Sequence, residues 1–279
     1  MMVDFAFLDS GTGGIPYMLY LKKKYPECTC VYLGDTKNFP YGEKTSEEVT
    51  ECAAGAVKKI ISNFNPKTIV VACNTISVSA LEELRKLFPN VPFVGTVPAI
   101  KYAAKVTKNK NIGLLATNAT VNNAYTSKLI NDFASDCNVY SRGDAELVSY
   151  IEHNLFTWKK EERLKAVRPA VDFFASKNCD TIILGCTHFI HVANDIAEEA
   201  GKNVSVVDSR EGVINQAFKI ESHVKKTFED KAETVKDMTL FVTGFKSYSD
   251  EKVYETLCKN FNIPWGGEVK IPPCIFTSL

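Results

Sequence analysis

Two cysteines stand at the ends of apolar runs that read almost alike. Thr68-Ile69-Val70-Val71-Ala72-Cys73-Asn74-Thr75 and Thr181-Ile182-Ile183-Leu184-Gly185-Cys186-Thr187-His188 share Thr, Ile and Cys in register, and each continues through small hydroxyl or amide residues into a helix. A thiol at the start of a helix feels the positive end of the helix dipole, which lowers its pKa below the free value of about 8.5 and lets it act as a base. A nucleophilic enzyme needs one activated Cys beside a His. Two matched thiols point instead to proton removal on one face of a carbon and delivery on the other, which is racemisation or epimerisation. His188 is placed to polarise the Cys186 S–H, and Asp9 is its counterpart in the first half.

The substrate such chemistry needs carries an acidified C–H, and the sequence offers grips for carboxylates. Asp9-Ser10-Gly11-Thr12-Gly13-Gly14 follows an apolar run and opens a helix, where glycines let backbone N–H groups approach an anion. Nucleotide readings fail on spacing: Pro16 stands where a dinucleotide fingerprint needs its third glycine, and no Gly-Lys-Ser/Thr triplet follows. No Arg lies in the glycine loop or beside either Cys, so hydroxyls, amides and backbone N–H groups must hold the carboxylates. Ser10, Asn74, Thr75 and Thr187 are the candidates, and all four also suit plain helix caps.

Short β-branched runs alternate with amphipathic stretches, the pattern of βα units around a parallel sheet. The spacing predicts strands at Val3–Leu8, Thr29–Gly34, Thr68–Ala72, Asn111–Leu115, Thr181–Gly185, Val204–Val207 and Leu240–Thr243. Helices are expected at Ile15–Lys24, Val78–Phe88, Val121–Phe133, His191–Ala200, Val213–Phe228 and Val253–Phe261. Another follows the capping box Thr45-Ser46-Glu47-Glu48, with Val49, Cys52, Ala53, Ala56, Val57, Ile60, Ile61 and Phe64 at helical spacing. Open α/β sheets bind ligands beyond the carboxyl ends of their strands, so each half presents one thiol to a site.

At 279 residues the chain is long enough for two domains. Thirty-three basic and thirty-three acidic residues cancel, which removes the footprint of a dedicated nucleic-acid binder. No apolar run approaches the ~20 residues of a membrane span. The opening carries Asp4 where a signal peptide carries basic residues, so a cytoplasmic protein is expected. Nine cysteines form no C-x2-C pair, which fits reduced thiols in that compartment. Cys28, Cys30, Cys52, Cys137, Cys179, Cys258 and Cys274 read as small core hydrophobes.

Taken together, Asp9–Gly14, Tyr32-Leu33-Gly34-Asp35-Thr36, Phe39-Pro40-Tyr41-Gly42, Ala72–Thr75, Leu184–Phe189 and Val207-Asp208-Ser209 resemble the glutamate racemases of the aspartate/glutamate racemase family over nearly the whole chain. The resemblance implies an α/β fold of two similar domains, each a mostly parallel sheet flanked by helices, related by pseudo-twofold symmetry with substrate sealed between them. Residues 1–98 plus 210–279 would form one domain and 99–209 the other. It implies cofactor-independent interconversion of L- and D-glutamate, supplying D-glutamate for peptidoglycan, by a homodimer. The thiol matching Cys73 takes the α-proton of D-glutamate, assisted by Asp9. That matching Cys186 takes the α-proton of L-glutamate, assisted by His188 and a glutamate, which falls on Glu152 with Glu146 competing. Binding positions map onto Asp9, Ser10, Tyr41, Gly42, Asn74, Thr75, Thr187 and His188, with Thr117 and Thr120 behind them.

Two thiols make pyridoxal phosphate unnecessary, and the four His, with one i, i+3 pair at His188 and His191, predict no metal. Three other readings compete: a racemase of aspartate or a hydantoin, a hydrolase or decarboxylase using one Cys, and a non-catalytic module binding DNA gyrase.

Overall fold

The computed structural model describes residues 2–224, 238–245 and 248–271, so Cys274 and residues 225–228 of the last-but-one expected helix lie outside the described residues. The strands are β1 (Val3–Asp9), β2 (Cys30–Gly34), β3 (Pro66–Val71), β4 (Phe93–Gly95), β5 (Asn111–Ala116), β6 (Asn138–Gly143), β7 (Thr181–Leu184), β8 (Ser205–Val207), β9 (Met238–Val242) and β10 (Trp265–Glu268). They form two sheets, ordered β10-β9-β2-β1-β3-β4 and β6-β5-β7-β8, and every described pairing is parallel.

The chain divides into two compact units, Met1–Thr96 with Arg210–Leu279, and Val97–Ser209. Backbone pairing explains why the C-terminal segment belongs to the first: β9 adds to the free edge of β2, from Cys30↔Met238 to Gly34↔Val242. The helix Arg210–Val224 packs against the helix Ile15–Lys24, and Phe218 stacks on Tyr25 with ring centroids 3.7 Å apart. Both sheets are flanked by helices.

Local signals account for the best-matched elements. Thr45 and Glu48 form the capping box reciprocally, with Glu48 N–H donating to Thr45 Oγ1 (3.2 Å) and Thr45 N–H to Glu48 Oε2 (2.7 Å). The helix they start, Ser46–Phe64, buries Val49, Cys52, Ala53, Val57 and Ile60 against Ala6, Leu8, Leu33 and Ile69, and ends at Asn65 in the left-handed region, φ +37°. In the second unit Ile112, Leu114 and Ile183 pack with Ile100 and Ala103.

Several elements depart from expectation. The Val78–Phe88 helix is two helices, Asn74–Ser79 and Leu81–Leu87, broken at Ala80. Val121–Phe133 divides likewise into Asn118–Val121 and Ala124–Phe133. The helix expected at His191 is a 3-10 turn, Thr187–Val192, running into an α-helix, Ala193–Ala200. Strands β4, β6 and β10 and the helices Ile100–Val106, Ala145–Asn154 and Lys160–Ser176 were not expected. β6 is the polar edge strand Asn-Val-Tyr-Ser-Arg-Gly, none of it buried, so it carries no apolar run to read.

The two sheets share a four-strand order, β2-β1-β3-β4 in one and β6-β5-β7-β8 in the other. The direction of winding reverses between β1 and β3, and again between β5 and β7, and doubly wound sheets bind ligands just beyond the carboxyl ends at such a switch point. Leu8 pairs with Val71 and Leu115 with Leu184, two residues before Cys73 and Cys186 respectively. That register makes the thiols equivalent and sets each at its unit's switch point. It also corrects one equivalence. Asp9 corresponds to Ala116, and His188 to Thr75, so the two candidate assistants occupy different places in the repeat.

Candidate active site

In the first unit, β1 ends at Asp9 and β3 is followed by Cys73, which caps the helix Asn74–Ser79 from an extended conformation (φ −141°, ψ 121°). Asp9 is wholly buried and Cys73 is 4% exposed. The thiol donates to Ser10 Oγ at 3.9 Å, and Ser10 Oγ donates to Asp9 Oδ1 at 3.2 Å. A line of hydrogen bonds therefore runs from sulfur through hydroxyl to carboxylate. Gly11 N–H also faces Asp9 Oδ1, at 3.4 Å.

The glycine turn is a close-packed device. A Cβ on Gly14 would lie 2.5 Å from the Ala72 carbonyl oxygen and 2.9 Å from Asp9 Oδ2, so only glycine lets the turn nest against both β3 and the carboxylate. Gly14→Ala must push Asp9 or the backbone before Cys73 aside. The expected result is a stability loss of about 1–3 kcal/mol in urea melts together with at least a tenfold loss of activity, since small displacements of reacting groups cost about that much or more.

Asn74 and Thr75 are both 3% exposed in the first turn after Cys73. Among the described residues neither the amide nitrogen nor the amide oxygen of Asn74 has a hydrogen-bond partner. A buried carboxamide left this way costs about 1–3 kcal/mol. Tyr41 and Gly42 lie on a 3-10 turn, Tyr41–Glu43. The Tyr41 hydroxyl donates to Asp35 Oδ2, which ties the turn to that carboxylate.

Asp35 has no role in the sequence reading beyond its motif, yet it organises this turn. Wholly buried after β2, it also accepts from Thr243 Oγ1 (2.6 Å) and Asn38 Nδ2 (2.9 Å). Burial pushes its carboxyl up from the ordinary range, against the pull of those donors. The signal for it is positional: an acid at the carboxyl end of a buried parallel strand.

In the second unit Cys186 follows β7, 5% exposed, at the head of the 3-10 turn Thr187–Val192. The α-helix begins only at Ala193, so the dipole argument for this thiol is replaced by a direct contact: Cys186 Sγ lies 3.7 Å from His188 Nδ1. His188 Nε2 lies 2.8 Å from Glu152 Oε2, with both side chains almost fully buried. Burial works against a charged imidazole, but the contacts with Cys186 and Glu152 outweigh it, and His188 is raised well above its ordinary value. Protonated, it donates from both nitrogens, one toward sulfur and one to the carboxylate.

Glu152 reaches His188 from the helix Ala145–Asn154, whose first turn is capped by Asp144 accepting from Leu147 N–H at 3.0 Å. Glu146 is on the same helix and exposed. The Asp144 N–H donates to the Ala116 carbonyl just as the Asp35 N–H donates to the Asp9 carbonyl, so an acid after the second strand orders a site element in each unit. Thr117 caps the short helix Asn118–Val121, and its hydroxyl also bonds that of Thr120 at 3.0 Å. Thr187 is buried beside Cys186.

A raised histidine has a consequence for folding. The folded protein holds this proton more tightly than the unfolded chain, so the contribution is complete below the ordinary value of 6.5 and disappears as pH climbs through the raised one. The stability difference between the wild type and His188→Asn should therefore shrink from pH 6 to pH 10, as measured by urea unfolding across that range.

Comparison with known proteins adds the last element. Residues 20–217 match the model of the Asp/Glu/Hydantoin racemase family. The glutamate racemase of Treponema pallidum is 35% identical over 264 residues, covering 95% of this chain and 96% of that protein. The crystal structure of Escherichia coli glutamate racemase in complex with L-glutamate and the activator UDP-MurNAc-ala superposes with a TM-score of 0.83 at 28% identity, covering 97% of this chain and 100% of that one. Glutamate racemase isoform RacE1 of Bacillus anthracis gives 0.76 at 26% identity, covering 96% and 97%. With a buried thiol at each switch point and relatives of this kind along almost its whole length, the chain belongs to the Asp/Glu/Hydantoin racemase family, among its glutamate racemases.

Proposed function

We infer that this chain interconverts L- and D-glutamate, and so supplies D-glutamate for peptidoglycan. The observation that carries the reading is the pair of register-equivalent thiols, each hydrogen-bonded toward its own acid–base partner, in a chain 35% identical to a glutamate racemase. Cys73 takes the α-proton from D-glutamate and Cys186 takes it from L-glutamate, and each thiol, once protonated, returns a proton to the carbanion formed by the other. The Ser10–Asp9 line accepts and restores the proton of Cys73. The His188–Glu152 pair serves Cys186. An amino-acid α-proton is far less acidic than a thiol, so oriented donors must stabilise the developing charge in a dry site. Ser10, Gly42, Asn74, Thr75, Thr117, Thr120 and Thr187 supply donors for the substrate carboxylates, with Tyr41 shaping the turn.

The two units, Met1–Thr96 with Arg210–Leu279 and Val97–Ser209, are the two domains of this reading, each contributing one base. Reduced thiols, most of them buried, suit the reducing cytoplasm, and among the described residues no helix is long and apolar enough to cross a membrane. The reading is tested by incubating the protein with L-glutamate in D2O. Loss of the α-proton NMR signal and decay of optical rotation to zero are expected. Exchange with aspartate and none with glutamate would move the chain to a sister activity.

Asn74 gives a further check. Asn74→Leu keeps the volume and removes the unpartnered amide. The apoprotein should melt higher, by about 1 kcal/mol of added stability, while KM for glutamate rises roughly 10- to 100-fold, as loss of a hydrogen bond to a charged group would predict.

A further inference from the structure

The motif Tyr32-Leu33-Gly34-Asp35-Thr36 carries a side chain that the reaction above does not use. Tyr32 lies in the middle of β2, wholly buried, and its phenol faces the backbone of the glycine turn. The phenolic O–H donates to the Gly11 carbonyl at 3.0 Å, and the same oxygen accepts from Gly14 N–H at 3.1 Å. One oxygen atom thus ties the two ends of Gly11–Gly14 together. The turn holds what the first thiol needs: Gly11 N–H faces Asp9 Oδ1, Gly14 is so close to Asp9 Oδ2 that a Cβ there would collide with it, and Ser10 bridges Cys73 to Asp9. Two residues further along β2, a Cβ on Gly34 would lie 2.6 Å from the Gly11 carbonyl oxygen, so the turn also rests directly on the strand.

We propose that Tyr32 is a positioning residue for proton transfer at Cys73, acting through the Gly11–Gly14 turn to fix Asp9 and Ser10. The proposal rests on the racemase reading above. A turn pinned at both ends by one phenol has little freedom to shift, and a general acid–base group tolerates little misplacement. Because Asp9 corresponds to Ala116 in the second unit's register, nothing equivalent is demanded there, and the effect of losing the phenol belongs to one half-reaction.

Tyr32→Phe removes that single oxygen. Since substrate and product are enantiomers, kcat/KM must fall equally in both directions, by about 10- to 100-fold. The distinguishing readout is the isotope effect on kcat/KM with α-deuterated substrates. Slowing the Cys73 step makes it limiting in both directions, so the effect should rise for D-glutamate, whose deuteron Cys73 removes, and fall for L-glutamate, whose deuteron has already gone to Cys186. Ile60→Val, in the core beneath the same sheet, serves as a control that lowers the melting temperature without touching the turn. It should leave both isotope effects at their wild-type values. Should Tyr32→Phe not fold, Gly34→Ala displaces the same turn by pressing on Gly11 and is expected to give the same divergence.

Wild-type kcat/KM in Tyr32→Phe, or isotope effects that stay together in the folded variant, would overturn the proposal. A wild-type protein that exchanges no α-proton of glutamate overturns the racemase reading instead, before any variant is compared.

Discussion

Cys73→Ser and Cys186→Ser should each lose about 10³-fold or more of racemase activity while melting within a few degrees of the wild type. A positioned general base contributes typically 10²–10⁴-fold, and a serine hydroxyl is too weakly acidic to stand in for a thiol in either role. Both positions are buried and of nearly constant volume on substitution, so the fold has little reason to respond. The result that matters is the pair. An enzyme working through one nucleophilic Cys would keep its activity in one variant, and a binding module would have none to lose. Polarimetry with each enantiomer, beside thermal melts, separates these outcomes.

Glu152→Gln should have the second largest effect. The carboxylate lies 2.8 Å from a nearly fully buried imidazole, and burial is the one influence that opposes the charge on His188. Without the carboxylate that influence gains ground, so His188 gives up its proton at a lower pH. Activity near neutrality should fall roughly 10²-fold, the middle of the range of acid–base contributions, and the alkaline limb of the pH–rate profile should move to lower pH. Breaking a buried ion pair by removing one charge costs about 3 kcal/mol, and urea melts should show a loss of that order. Glu146→Gln, on the exposed face of the same helix, is the matched control, with stability unchanged within about 0.5 kcal/mol and an unaltered pH profile.

What could be read from the sequence was whatever leaves a local mark. The helix Ser46–Phe64 announces itself by its capping box and a long apolar stripe, and the buried strands β1, β3 and β7 by β-branched runs. Elements held mainly by their neighbours left no such mark. β4 is three residues long, β6 is a polar edge, and the helix Lys160–Ser176 contains Pro169 and leans on the helix Ala193–Ala200 through ion pairs such as Arg163–Asp195 and Arg168–Glu199. The thiols were visible because each ends an apolar strand. The contact between Glu152 and His188 spans 36 residues and depends on where a helix after a polar strand is laid down, so motif and resemblance name the pair but only coordinates supply its geometry. Tyr32 and Asp35 work through hydrogen bonds to other segments, which a single strand of text does not display.

The unequal equipment of the two thiols has an outcome of its own. An aspartate reached through a serine serves one, an imidazole backed by a carboxylate serves the other, and Ala116 stands where a mirrored design would repeat the aspartate. Thermodynamics forces the specificity constants of optical antipodes to agree, but it leaves turnover number and saturation point free. A protein whose two hands are chemically dissimilar can hold one antipode tightly and turn it over slowly, and do the opposite with its mirror image. A compound imitating a single antipode would then meet one of those chemistries as the proton acceptor and the other as the proton donor.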